Sequence, residues 1–227
     1  MWWSITSPPG AGASPRRSAI RPTLVLLVRH AVTAVTGHRL PGRTPGLHLS
    51  DDGRRQAEQV ARRLARLPRV AAVYTSPLER ARETAAPIAR ARSLGLRVER
   101  GLSELDIGAW TGITLARARR KREWKTVQQH PSGFRFPGGE SFPEMQARMT
   151  STLADLVARH PGATLVAVSH ADPIKAAAAQ ALGTPLDLFQ RIVIAPASVT
   201  AIAYGPGGPV VLTVNSADGD LGWLARP

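Results

Sequence analysis

The chain contains no cysteine. That excludes disulfides, a thiolate nucleophile and any cysteine-ligated zinc site. It also has no run of about 18 apolar residues, so no membrane span is expected. Aromatic residues make up 5% of the chain, too few for a platform on which bases stack. Lysine is scarce: Lys121, Lys125 and Lys175 are the only ones among 30 basic residues. Acidic residues number 16 against those 30, which leaves a formal charge of +14. Such a balance suits nucleic acid or an anionic substrate, and an arginine-favouring genome would produce it too. Charge alone therefore decides nothing. The N-terminus carries Trp2 and Trp3, then Pro, Gly and Ser, without the apolar stretch that a secretory signal needs. Residues 1–22 are free of acid and include Arg16, Arg17 and Arg21. That composition is shared with transit peptides, but the segment reads as a disordered N-terminal extension. With no signal, the cytoplasm is the expected compartment.

What is present suffices for one core. A length of 227 residues at 43% hydrophobic content fits a single domain, placed here at residues 23–214, with 215–227 as a C-terminal tail. Thr23–Val28 is a continuous apolar run and reads as a buried strand. It stops abruptly at Arg29-His30, and a loop rich in glycine and proline follows. Ser50 or Asp51 can cap the next helix, in which Ala57, Val60, Ala61, Leu64 and Leu67 recur at helical spacing. Val70–Tyr74 is a second strand, and Ser76-Pro77 opens a second helix. Arg97–Glu99 forms a short strand, and residues 101–139 look irregular or lid-like, with a basic cluster over 117–122. Ser141-x-x-Glu144 is a capping box ahead of a stripe through Met145, Met149, Leu153 and Leu156 that should pack in the core. Thr164–Val168 is a third strand ending in Ser169-His170, followed by a helix over Ala171–Leu182. Ile192–Ile194, Ser198–Tyr204 and Val210–Val214 are further strand candidates. Strands alternating with helices predict a three-layer α/β/α domain around a mixed but mostly parallel sheet.

Three predicted strands end in polar residues. The first delivers Arg29 and His30, the second leads to Ser76 and Arg80, and the third delivers Ser169 and His170. Ligands of open α/β sheets bind beyond the carboxyl ends of the strands, so these side chains should share one rim. Two histidines suggest a metal, but two fixed guanidiniums repel a divalent cation and no carboxylate cluster compensates. The same guanidiniums suit a phosphate dianion, because a planar fork grips two oxygens at once. A neutral imidazole is itself nucleophilic, provided its second nitrogen is oriented by an acceptor such as a loop carbonyl. Among the carboxylates, Glu104, Asp106, Glu140 and Asp172 all remain candidates for proton transfer.

Arg29-His30-Ala31, Thr75-Ser76-Pro77-Leu78-x-Arg80-x-x-x-Thr84, Leu102-x-Glu104-x-x-x-Gly108-x-Trp110-x-Gly112 and Ser169-His170 together resemble the four signatures of the histidine phosphatase superfamily. That group includes cofactor-dependent phosphoglycerate mutases and many phosphatases. The resemblance runs from about Thr23 to Val214. It implies a phosphoglycerate mutase-like fold and a role for each matched position. His30 would be the nucleophile. Arg29, Arg80 and His170 would bind the phosphoryl oxygens. Glu104 would protonate the leaving oxygen and then activate water. No metal and no organic cofactor is implied.

The chain departs from the family pattern in places. Ala31 replaces the usual glycine, and Val32 a frequent acidic residue. Thr36 stands where an asparagine is common, with a hydroxyl that could still reach phosphate. Ala171-Asp172 follows His170 in place of two glycines. The stretch Trp124–Glu144 is similar to an actinobacterial branch labelled probable phosphomutase, yet the longer insertion of phosphoglycerate mutases has no match here. Hydrolysis of a small phosphorylated substrate is therefore the favoured reading, with a phosphomutase as its alternative. A basic nucleic-acid-binding protein with a vestigial pocket is the remote third, resting only on charge. Oligomeric state leaves no signal in the sequence.

Overall fold

The computed structural model describes residues 21–225; residues 1–20, most of the expected N-terminal extension, and residues 226–227 lie outside them. Six strands form one sheet in the order β3-β2-β4-β1-β5-β6. They are β1 (Thr23–Arg29), β2 (Ala72–Thr75), β3 (Leu96–Val98), β4 (Thr164–Ser169), β5 (Val199–Gly205) and β6 (Gly208–Ser216). β1 to β4 run parallel, and β5 and β6 close the far side as an antiparallel hairpin. The mostly parallel α/β/α expectation is met.

Alternation along the strands feeds two cores. Leu24, Leu26 and Val28 point to one face and pack with α1 (Asp51–Ala65) and α2 (Glu79–Arg90). Val25 and Leu27 point to the other and pack with α5 (Phe142–Arg159) and α6 (Ala171–Ala181). Ser50 caps α1 by accepting from Gly53 N–H at 3.1 Å. Ser141 and Glu144 form the capping box of α5.

The segment 101–139 is folded tightly. Short 3-10 turns, α3 (Leu115–Arg119) and α4 (Trp124–Gln129) surround a third apolar cluster. In it Trp110, Phe134, Phe136 and Phe142 meet at tilted or edge-on angles, with ring centroids 4.9–5.7 Å apart.

Two expectations need correction. Ile192–Ile194 is not a strand. The neighbouring slot beside β1 belongs to β5, so this run crosses the strand ends as a loop, with Ile194 buried and Val193 exposed. The second strand also begins two residues late, at Ala72. Beyond β6 the chain turns back in a 3-10 turn (Gly222–Ala225), and Leu221 and Leu224 join the α1/α2 core. Residues 221–224 thus contribute to the domain. Leu224→Ala should cost about 2 kcal/mol in a denaturant titration, at the low end for a buried leucine. Half-exposed Trp223→Ala should stay within about 0.5 kcal/mol. Equal effects would contradict this packing.

Candidate active site

The register of the parallel strands builds the site. Arg29 pairs with Ser169, and Val28 and Thr75 both pair with Val168. The ladder extends one step past each strand, His30 N–H donating to Ser169 O and Ser76 N–H to Val168 O, both at 2.9 Å. His30, Ser76 and His170 therefore leave the sheet level with one another. This is also where the chain switches direction across the sheet, β1 and β4 being neighbours in space with their helices on opposite faces.

Arg80 reaches the same spot from the first turn of α2. Its side chain is fully buried. Its Nε donates to His30 Nε2 at 3.3 Å and its Nη2 to Gly42 O at 2.7 Å. Arg29 is anchored by Nη1 donating to Ile194 O at 2.7 Å. The His30 and His170 rings meet edge-on, with centroids 5.1 Å apart. At this site three buried nitrogens, Arg29 Nε, Arg80 Nη1 and His170 Nδ1, have no hydrogen-bond partner among the described residues. Buried polar atoms are nearly always paired, so three orphans in one place mark a seat for an acceptor-rich ligand.

Protonation follows from burial and charge. His30 Nδ1 lies 2.7 Å from Ala31 O and so carries the ring proton, which leaves the Nε2 lone pair facing Arg80. Burial, then the Arg80 charge, hold the His30 imidazole down to about 3. His170 is pushed well below its usual value by burial first and Arg80 second. Its Nε2 stands 2.8 Å from Ser76 Oγ, which already accepts Leu78 N–H. Among the described residues the buried Ser76 hydroxyl has no other acceptor for its proton, which therefore goes to Nε2 and leaves the imidazole proton on Nδ1 as a free donor.

Glu104 approaches from the loop after the 3-10 turn Arg100–Leu102, with Oε2 3.8 Å from His170 Nδ1. Burial and then the charge of Asp172 push its carboxyl up to about 7, against the pull of Arg80 and Arg29. The rivals are engaged elsewhere. Asp106 caps Gly108 N–H and lies 3.6 Å from Arg43, and Asp172 lies 3.4 Å from Lys175. Glu140 pairs with Arg148 and Arg43. Burial opposes its ionisation, but the bonds from Arg148 and Asp106 N–H hold its carboxyl below the usual range.

The family model for the histidine phosphatase superfamily (branch 1) matches residues 25–217. The chain belongs to the histidine phosphatase superfamily. It is 37% identical over 216 residues to a bifunctional protein of Mycobacterium tuberculosis, covering 93% of this chain and 57% of that protein. The chain thus spans little more than half the length of those mycobacterial relatives. It is 32% identical over 196 residues to phosphoserine phosphatase 1 of Hydrogenobacter thermophilus, covering 84% of this chain and 91% of that one. Among solved structures, a mycobacterial glucosyl-3-phosphoglycerate phosphatase superposes with a TM-score of 0.78 at 25% identity, covering 86% of this chain and all of that one.

In this superfamily member several site contacts come from atoms that sequence reasoning had no means to single out. The oriented carbonyls of Ala31, Gly42 and Ile194 are backbone groups. Ser76 stands in the sequence as a polar residue at a strand end and, like Thr84, as a motif position with no role attached to it. Thr84 Oγ1 accepts Ala31 N–H at 3.0 Å and donates to Arg80 O at 2.7 Å, tying the His30 loop to the helix of Arg80. Thr36 is not hydrogen-bonded to the four central residues. Its hydroxyl accepts Thr33 N–H at 2.9 Å and meets Thr33 Oγ1 at 3.1 Å, closing the loop after His30. Of the four remaining described histidines, His48, His130 and His160 bond Glu83, Asp187 and Tyr74, and His38 lies exposed in the loop after His30. The basic cluster is exposed on and after α3, which docks on the His30 loop through Leu115 N–H to His38 O at 2.8 Å. Among the described residues no group of three or more His, Asp or Glu side chains could hold a metal ion.

The raised Glu104 carboxyl sets a pH signature. Protonated below about 7, it can donate a proton there and loses that ability as pH rises through its pKa. His30 stays unprotonated down to about 3, so it imposes no limb in that range. In single-turnover kinetics with an alkyl phosphate, phosphoryl transfer to the enzyme should be level in mild acid and fall above about pH 7. A rate that climbs through pH 7 would show Glu104 working as a carboxylate in that step.

Proposed function

We propose that this protein is a phosphomonoester hydrolase acting on a small phosphorylated metabolite through a phosphohistidine at His30. One observation supports the reading: the three orphaned nitrogens of Arg29, Arg80 and His170 lie beside a histidine whose Nε2 is unprotonated and held only by Arg80 Nε, a donor that a phosphate oxygen can take over. A phosphoryl group supplies the acceptor oxygens that these donors lack.

In the first step an ester phosphate takes over the Arg80 Nε contact, and His30 Nε2 forms a bond to phosphorus. The P–O bond to the alcohol breaks, and Glu104 gives its proton to the departing oxygen. In the second step water attacks phosphorus, Glu104 recovers a proton from it, and the N–P bond breaks. His30 regains its lone pair and inorganic phosphate leaves. Charge on the equatorial oxygens is met by fixed guanidiniums that need little reorganisation. No metal enters either step.

Relatives named as phosphatases of phosphoserine and of glucosyl-3-phosphoglycerate support a small, acidic phosphorylated metabolite as substrate. A phosphomutase is the second reading, because the chain is also 31% identical over 183 residues to a probable phosphoglycerate mutase of Klebsiella pneumoniae. The proposed site requires the protein to release phosphate from p-nitrophenyl phosphate in the presence of a chelator, and His30→Ala to lose at least about a thousandfold in rate. Equal release by both proteins rejects the nucleophile. Interconversion of phosphoglycerate isomers without net phosphate release establishes the mutase instead.

A further inference from the structure

Glu140 lies outside the ring of residues that would touch phosphate, yet its carboxylate organises the segment that carries Glu104. Its Oε1 takes Arg148 Nε at 2.8 Å and its Oε2 takes Arg148 Nη2 at 2.9 Å. The same Oε2 takes Arg43 Nη2 and Asp106 N–H, at 2.9 and 3.0 Å. The two arginines then reach the acid's own backbone. Arg148 Nη1 donates to Gly101 O at 2.7 Å and Ser103 O at 2.9 Å, and its Nη2 lies 3.4 Å from Glu104 O. Arg43 Nε donates to Glu104 O at 2.8 Å. One carboxylate thus orients two cations that together hold the carbonyls just ahead of Glu104 and at Glu104 itself.

The backbone leaves no slack around this hub. A Cβ on Gly139 would stand 2.3 Å from Asp106 O, and one on Gly108 would stand 2.2 Å from Pro137 O. The 137–140 and 106–108 loops therefore touch main chain to main chain, and Glu140 N–H completes the contact with Asp106 O at 2.8 Å. Arg43 is the neighbour of Gly42, whose carbonyl holds the buried Arg80. The hub thus also borders the seat of the phosphate-binding arginine.

We propose that Glu140 is a positioning residue for the reaction, fixing through Arg43 and Arg148 where the Glu104 carboxyl stands relative to the leaving oxygen. This rests on Glu104 being the proton donor. A displaced acid handicaps poor leaving groups, which need the proton, far more than good ones, which do not. An ion-pair network that serves stability alone would lower the melting temperature and leave that ratio untouched.

The test compares kcat for an alkyl phosphate with kcat for p-nitrophenyl phosphate in wild type, Glu140→Gln, Glu104→Gln and the double variant, with melting temperature recorded for each. Glu140→Gln should lower the alkyl rate at least about tenfold while the p-nitrophenyl rate stays within about threefold. In the Glu104→Gln background the same change should have little further effect on the ratio. Arg43→Met, which keeps the Glu140–Arg148 pair but removes one hold on Glu104 O, should show the same selective loss, and it serves if Glu140→Gln does not fold. If Glu104→Gln discriminates between the esters but neither Glu140→Gln nor Arg43→Met does, the positioning role is overturned. If Glu104→Gln itself fails to discriminate, the acid has been misassigned.

Discussion

The site depends on a charge imbalance built into the strand ends. Two buried or nearly buried guanidiniums face two imidazoles, and among the described residues no carboxylate forms an ion pair with either arginine. Burying such cations costs several kcal/mol each unless carbonyls and an anion offset it. Gly42 O and Ile194 O supply part of that offset. Under the proposed function the rest would come with a phosphate dianion, whose binding would relieve the protein of uncompensated donors. Burial sets the protonation states first, and the imbalance adds to it. Desolvation and then the charge of Arg80, with Arg29 behind it, disfavour a further positive charge, so both histidines are neutral. Neutrality is what the proposed roles require, attack by His30 and donation by His170.

Glu104 sits in the opposite predicament. Buried and beside Asp172, it keeps a proton to about neutral pH despite two nearby cations. The departure of this chain at Asp172, where its superfamily often has glycine, thus bears on the proposed proton donor as well as on the rim. Lys175 and Gln190 hold that aspartate region in place through a further pair of contacts, at 3.4 and 3.0 Å from the lysine nitrogen.

Much of this was legible in the chain. The strands that matter announce themselves because an apolar run buried on both faces must end where polar chemistry begins, at Arg29-His30 and at Ser169-His170. Capping at Ser50 and Ser141 fixed two helix starts for a local reason that needs no tertiary context. Residues 101–139 were opaque because their core has no period. Trp110, Phe134 and Phe136 are brought together by short turns and by glycines whose role depends on a facing loop. Ile192–Ile194 misled because apolar triplets look alike whether a ladder or a loop covers them. Oriented carbonyls leave no trace in a sequence at all, since every residue has one. Glu140 reads as a rival acid in the sequence because one of its arginine partners, Arg43, is distant in the chain and the other, Arg148, carries no mark on α5.

The central claim is that His30 Nε2, with its other nitrogen tied to Ala31 O, accepts phosphorus inside a cradle made by Arg29, Arg80 and His170. Rapid quenching of turnover into alkali, followed by phosphorus NMR and mapping of the labelled peptide, tests it directly. The account predicts an N–P bond at Nε2 of His30. Phosphorus on Nδ1, on another residue, or on none while turnover proceeds would contradict it.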